Sequence, residues 1–260
     1  MTIWAAAATI YGGILAVAAL VHPIRRRAVA AAACIAYSLA ALGSGTLPHS
    51  LWTELLVPAL LLLPGYWLSG FFFRDPQPRL ESWLLESDRR LFAIGRVKRW
   101  LARSPRWILE AVEAIYVGDY GVVAIGALVA AAHGVGAVTH YWSVVLTAEL
   151  ACYVALPWVR SRPPRTLEPA GALEARGVTL RRLNASIVER ASVQANTLPS
   201  GHVAGAVAAA LAVLPLSTAV GTGLILAAVL IAVAAVAGRY HYGVDCVTGA
   251  SVAVVAAWLV

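Results

Sequence analysis

The chain has 260 residues, 60% of them hydrophobic and 13% charged, where ordinary soluble domains carry about 25% charge, and its mean hydropathy is +0.77. That balance excludes a soluble globular enzyme. The formal charge of +7 comes from 20 Lys and Arg against 13 Asp and Glu; with no basic, aromatic-interleaved module, it points to membrane topology, anionic headgroups or a phosphate site, not to nucleic acid.

Apolar runs long enough to cross a bilayer, about 20 residues each, lie near 3–22, 28–43, 52–73, 107–132, 139–158, 201–216, 219–238 and 243–260. They predict an all-α fold, a polytopic transmembrane helical bundle of about eight spans in the plasma membrane. Its parts are N-terminal transmembrane helices over 1–73, an interfacial amphipathic segment over 74–106 and a membrane core over 107–260. The first run has no basic segment before it and Arg25, Arg26 and Arg27 after it, so it reads as a retained helix, not a cleaved signal peptide. Cys34, Cys152 and Cys246 are scattered, without a CxxC pair, and read as small core residues.

In the 74–106 segment, Leu84, Leu85, Leu91, Phe92, Ile94 and Val97 interleave with Arg89, Arg90, Arg96 and Lys98. That pattern suits a helix in the headgroup layer, or equally a solvated connecting helix. The stretch 159–198 is too long for an idle connection, and long loops tend to carry function. Alanine recurs at small-xxx-small spacing, as from Ala204 to Ala212, which lets helix backbones approach closely in lipid.

Three polar clusters sit at the ends of predicted spans, all potentially on one membrane face. Arg160, Arg162, Pro163, Pro164 and Arg165 follow the fifth span; Pro199, Ser200, Gly201 and His202 open the sixth; Arg239 to Asp245 open the eighth. His241 and Asp245 are spaced i, i+4, so the carboxylate can hold one ring nitrogen and leave the other a better nucleophile or base. A satisfied polar pair in a bundle core has the same spacing. Ser200 and Gly201 present backbone N–H groups at a helix start, an anion seat, although Ser200 serves equally as an N-cap. His202 sits beside that seat and can protonate a leaving oxygen. Arg162, Arg165 and Arg239 offer planar forks that match phosphate oxygens, while the positive-inside rule would place arginines there without any ligand. Together these groups specify phosphoryl transfer without a metal or other cofactor. His241 attacks phosphorus, His202 protonates the departing oxygen, and water or an alcohol acceptor takes the phosphoryl group.

The PSGH and RYHYGVD strings, preceded by RPPR, resemble the three signature motifs of the type 2 phosphatidic acid phosphatase superfamily of membrane lipid phosphatases. More narrowly, the short Arg239 to His241 spacing and the HYGVD string resemble the branch of inositol phosphorylceramide synthase and sphingomyelin synthase; the phosphatase branch has a wider gap where Tyr240 alone stands here. The resemblance covers roughly residues 80–260, including DRRLF at 88–92. It implies a six-helix catalytic core with extra N-terminal and interfacial helices, and a histidine nucleophile at His241 supported by Asp245. It further implies an acid at His202, phosphate ligands at Ser200, Gly201, Arg239 and the first motif, a lipid phosphate substrate entering from the bilayer, and an extracytoplasmic site. The lysine that often opens the family's first motif is replaced by Ala155, leaving Arg160 or Arg165 to stand in for it.

Charge argues against that sidedness, because with eight spans all 20 Lys and Arg fall on the motif side, which the positive-inside rule calls cytoplasmic. Pro58 and Pro64 leave open a re-entrant 52–73 segment that would reverse the N-terminal portion. A non-enzymatic transport or structural bundle is the main alternative of another class. A metal site at His202, His241, Asp245 and Cys246 is disfavoured because neighbouring residues point about 100° apart on a helix. A Ser200–His202 hydrolase is disfavoured because residues two apart do not face each other. Glu110, Glu113 and Glu149 lie within spans and are expected to pair inside the bundle.

Overall fold

The computed structural model of the chain describes residues 1–168 and 171–260. Among these, the elements are α1 (Ile3–Val21), α2 (Arg27–Ser44), α3 (Leu51–Ser69) with a 3-10 turn (Gly70–Phe72), α4 (Pro78–Arg90), α5 (Ile94–Arg103), α6 (Arg106–Val117) and α7 (Asp119–Ala132). They continue with α8 (Val135–Tyr153), α9 (Pro164–Leu167), α10 (Ala172–Ala175), α11 (Thr179–Ala191), α12 (Gly201–Val213), α13 (Thr218–Ala237) and α14 (Gly243–Leu259). The fold is all-α, and extended pairing among the described residues is limited to one bridge between Ser161 and Asn196.

Helix starts follow local chemistry. Thr2, Ser50, Ser200 and Ser217 each accept a backbone N–H from the first turn of α1, α3, α12 and α13, and Pro78 opens α4 where its missing N–H costs nothing. Each apolar run of the sequence returns as helix close to its expected bounds, but 107–132 is divided between α6 and α7 by a 47° bend. Four helices, α1, α2, α3 with its 3-10 turn, and α13, are long and apolar enough to cross a membrane, and the bent α6–α7 pair makes a fifth if it is one span. α12 and α14 are shorter apolar helices, and α8 matches α1 in length but carries His140, Ser143, Thr147 and Glu149. α3 runs unbroken through Pro58 and Pro64, so the re-entrant alternative is not adopted.

Outward faces are greasy: Ile10, Leu39, Leu60, Leu128, Leu226 and Trp258 are all well exposed, a surface suited to acyl chains and not to water. The interior is built on small residues. α12 lies at the centre, packed on α7, α8, α13 and α14, with most of its alanines and glycines fully buried. A Cβ on Gly205 would overlap the Glu149 carboxyl of α8, so glycine there sets the helix separation. α1 and α3 pack on α8 and share one apolar core with α7, α8 and α12.

The 74–106 segment forms two amphipathic helices where one was expected, broken at Leu91 to Ala93, with Ala93 left-handed at φ 47°. Leu84, Ile94 and Leu101 face inward while Leu91 is exposed. This segment and the α1–α2 turn lie at the same end of the bundle as the polar clusters. Arg74 donates to the Pro23 carbonyl at 3.0 Å, the His22 ring meets Trp158 edge-on, and the Gln77 N–H donates to the Arg160 carbonyl at 2.9 Å. At the opposite end, Trp4 of α1 donates to Glu54 of α3 at 2.8 Å.

Candidate active site

The site assembles where α12 and α14 begin and α13 ends. After α13 the chain turns sharply: the Tyr240 and His241 N–H groups both return to the Ala235 carbonyl, at 2.9 and 3.2 Å, and Arg239 takes a left-handed φ of 62°. The turn drives the Arg239 side chain inward, where it is 0% exposed. Its Nη1 donates to Asp88 of α4, and Nη2 lies 3.8 Å from Glu168. Nε and Nη2 have no hydrogen-bond partner among the described residues. A permanently charged guanidinium with two open donors is a group that an anion completes.

Asp88 does two things at once: besides Arg239 it accepts the Gly243 N–H at 2.8 Å, tying the arginine turn to the start of α14. Burial pushes its carboxyl above the usual range, against the pull of Gly243 and Arg239. Phe92 packs so closely on Gly243 that a Cβ there would overlap its ring. The DRRLF string therefore positions the third cluster.

At the start of α14, Asp245 accepts the Tyr242 N–H at 2.9 Å, and its Oδ2 lies 3.5 Å from His241 Nδ1. That separation is long for a hydrogen bond, and Nδ1 has no hydrogen-bond partner among the described residues. The Asp245 carbonyl accepts the Ser200 N–H at 3.0 Å, joining the second cluster to the third. Ser200 caps α12 through the Val203 N–H at 3.4 Å, and Gly201 lies so close to the Tyr153 ring that no Cβ fits. His202 meets His241 edge to face, with centroids 5.8 Å apart. Its Nδ1 is 3.1 Å from Asp119, the first residue of α7.

The first cluster divides. Arg165 donates its N–H to the Arg239 carbonyl at 2.9 Å, and its guanidinium lies over the Tyr240 ring at 5.6 Å with no carboxylate partner among the described residues. Burial pulls its pKa down. Tyr240 in turn stacks on Tyr116 at 3.8 Å. Arg165 is thus the first-cluster arginine that reaches the turn of the third cluster. Arg162, in contrast, gives Nε and Nη2 to Glu81 at 3.0 and 2.8 Å, and its carbonyl accepts the Tyr242 hydroxyl at 3.0 Å. The Arg162 guanidinium holds the Glu81 carboxyl below its usual range. In this geometry Arg162 braces the third cluster from outside, while Arg165 reaches the Arg239–Tyr240 turn that leads into His241.

Several participants escaped the sequence reading. Asp119 is one, although a lone carboxylate inside an apolar run is the signal that singled out Glu110, Glu113 and Glu149. Glu168 is another: burial raises its pKa, but Arg89 and Lys98 outweigh that and hold the carboxyl below the usual range. Glu113 does pair inside the bundle, accepting from Tyr240 at 2.6 Å, Asn184 at 2.6 Å and Arg181 at 3.3 Å. Glu149 accepts from Tyr153 at 2.6 Å. Cys246 donates its thiol to the Ala232 carbonyl, not to the histidines. Beside Tyr240 and Arg165 opens a cleft of about 670 Å³, walled by α10 and α11 with Leu173, Arg181 and Val188.

A family model described as the PAP2 superfamily matches residues 82–259, from α4 to the end of α14. The chain belongs to the PAP2 superfamily. No curated protein and no solved structure matches it. The PAP2 match takes in Asp88, His202, His241, Asp245, Arg162, Arg165 and Arg239, and it leaves α1 to α3 outside. Membership, with apolar helices long enough to span a bilayer, supports a membrane enzyme of the phosphatase type.

Proposed function

We propose that the protein is a metal-independent membrane lipid phosphatase or phosphotransferase that works through a phosphohistidine on His241. The motif spacing favours the branch of the PAP2 superfamily that resembles inositol phosphorylceramide synthase and sphingomyelin synthase. The observation that carries the reading is the pair of histidines 5.8 Å apart, each facing its own carboxylate, beside a buried Arg239 with open donors.

A phosphate seated against Arg239 and Arg165 near the start of α12 puts phosphorus before His241. The His241 Nε2 lone pair attacks phosphorus, and Asp245 stabilises the imidazolium that forms. The phosphorus–oxygen bond breaks, and the leaving oxygen takes a proton from His202. Water or an alcohol then attacks the phosphohistidine, gives its proton to His202 and releases the nitrogen. The greasy part of the substrate lies in the bilayer, and the cleft beyond Tyr240 has room for a polar substituent on the phosphate.

Phosphate release from a panel of lipid phosphates and diphosphates, by purified protein in detergent with EDTA, tests this reading. Wild type is expected to turn over and His241→Ala to lose at least about 1,000-fold. Release that survives in the variant, or that EDTA abolishes, overturns it.

A further inference from the structure

The two histidines of the site hold different carboxylates, and only one of these belongs to the signature motifs. Asp119 comes from the bend between α6 and α7, where the chain turns by 47° after Gly118. The bend points the first turn of α7 at the start of α12, against which α7 packs. Asp119 is buried, yet its side chain makes no capping bond at the start of α7, and its Oδ1 has no partner among the described residues. Its ion-pair partner among those residues is His202, at 3.1 Å from Oδ2 to Nδ1. The other carboxylate near His202, Glu149, is engaged by the Tyr153 hydroxyl. Tyr116 and Tyr120 flank the same imidazole edge-on, with centroids 5.5 and 5.9 Å away.

A buried carboxylate that neither caps a helix nor pairs with an arginine is a costly way to hold two helices together. It is an efficient way to orient an imidazole. Accepting from Nδ1 fixes which ring nitrogen carries the transferable proton and holds the ring in one rotamer.

We propose that Asp119 is the positioning residue of the general acid: it accepts the Nδ1–H of His202 and thereby aims the protonated Nε2 at the leaving oxygen. The inference rests on the phosphohistidine reading above. In the first step the Nε2 proton passes to the leaving oxygen as the phosphorus–oxygen bond breaks, and His202 is left neutral with its Nδ1–H still on Asp119. In the second step the attacking water or alcohol returns a proton to Nε2. Asp119 exchanges no proton in either step.

The test compares two leaving groups on the purified full chain in detergent. A lipid phosphate releases an alkoxide that must be protonated as it departs; p-nitrophenyl phosphate releases a phenolate that needs no acid. Asp119→Asn is expected to lower kcat for the lipid phosphate about 100-fold, the size of a general-acid contribution, and to lower kcat for the aryl phosphate at least about tenfold less, with KM little changed for either. Adding Asp119→Asn to His202→Ala is expected to bring no further loss. Equal loss on both substrates from a folded variant would mark a merely structural role and overturn the proposal, as would no loss on either. If Asp119→Asn fails to fold, Asp119→Glu, which keeps the charge and displaces it, is read by the same ratio; a wild-type ratio then overturns the proposal. The underlying reading fails separately, since His241→Ala must abolish turnover of both substrates whatever Asp119 does.

Discussion

Arg239 concentrates more of the site's chemistry than any other single residue. It is fully buried, and balanced on one side by Asp88 while two donors remain open. The fork makes this possible, because one nitrogen can hold Asp88 while the others meet phosphate oxygens. Lysine is a point charge and must choose. Arg239→Lys is therefore expected to lower kcat/KM on a lipid phosphate by about 100-fold, as for loss of one preorganised donor, with the thermal midpoint nearly unchanged; kinetics and a melting curve on the same preparation check both. Loss of less than about threefold would mean that the open donors do not meet substrate. The sequence made Arg239 a candidate through its place before His241. It carried no sign that Asp88, 151 residues away, neutralises half of the fork. For Arg162 the same chemistry, a guanidinium beside the motif, ends differently because Glu81 reaches it first.

Helix contact, more than loop conformation, sets the distances at the site. α12 and α14 touch where Gly249 lies against the backbone of Ser200, so closely that a Cβ on Gly249 would overlap it. That contact holds the His202 helix against the helix that carries Asp245, and the Ser200 N–H bond to the Asp245 carbonyl runs through it. Gly249→Ala must push the two helix starts apart. Because a displacement of about 1 Å can cost 100-fold in rate, turnover is expected to fall by at least about tenfold, with a lower melting temperature. Gly223→Ala on α13 has open space around it and is the control, expected to leave turnover and stability unchanged. If both variants behave alike, the contact does not set the catalytic geometry. Small-residue spacing along α12 was legible as a sign of close packing. The α6–α7 bend was not read, although Gly118, Asp119 and Gly121 interrupt the apolar run 107–132 where it falls, and Asp119 gains its partner from that bend.

At the scale of the whole molecule, the bundle has one polar end. The α1–α2 turn with Arg25 to Arg27, the α4–α5 segment and the three motif clusters all lie there, linked by Arg74 to Pro23 and by His22 to Trp158. A cysteine placed at Arg26 and one placed at Arg96 are therefore expected to react with a membrane-impermeant maleimide from the same side in intact cells, each in a chain whose three native cysteines are buried. Opposite reactivity would contradict the arrangement of α1 to α3. Labelling of both from outside puts the site outside the cytoplasm, as the family resemblance implies; protection of both puts it on the side that the basic residues favour.

Composition alone determined that this chain lives in lipid, because no other environment accepts so many apolar side chains with so few charges to cover them. Local chemistry determined the helices: apolar runs bounded by capping serines, prolines and arginines return within a few residues of where the sequence places them. The histidines and their motifs were equally legible, since Ser200 to His202 and Arg239 to Asp245 are contiguous strings whose spacing holds their groups together at any moment of the fold. Tertiary structure decided the partners. Asp88 meets Arg239, Asp119 meets His202, and Glu81 pairs with Arg162, each across dozens of residues or more. Spacing reports only neighbours within a turn or two, whereas the balance of a buried charge depends on which helices pack against it. That packing is set by the small residues of α12 and the bend at Gly118 acting together.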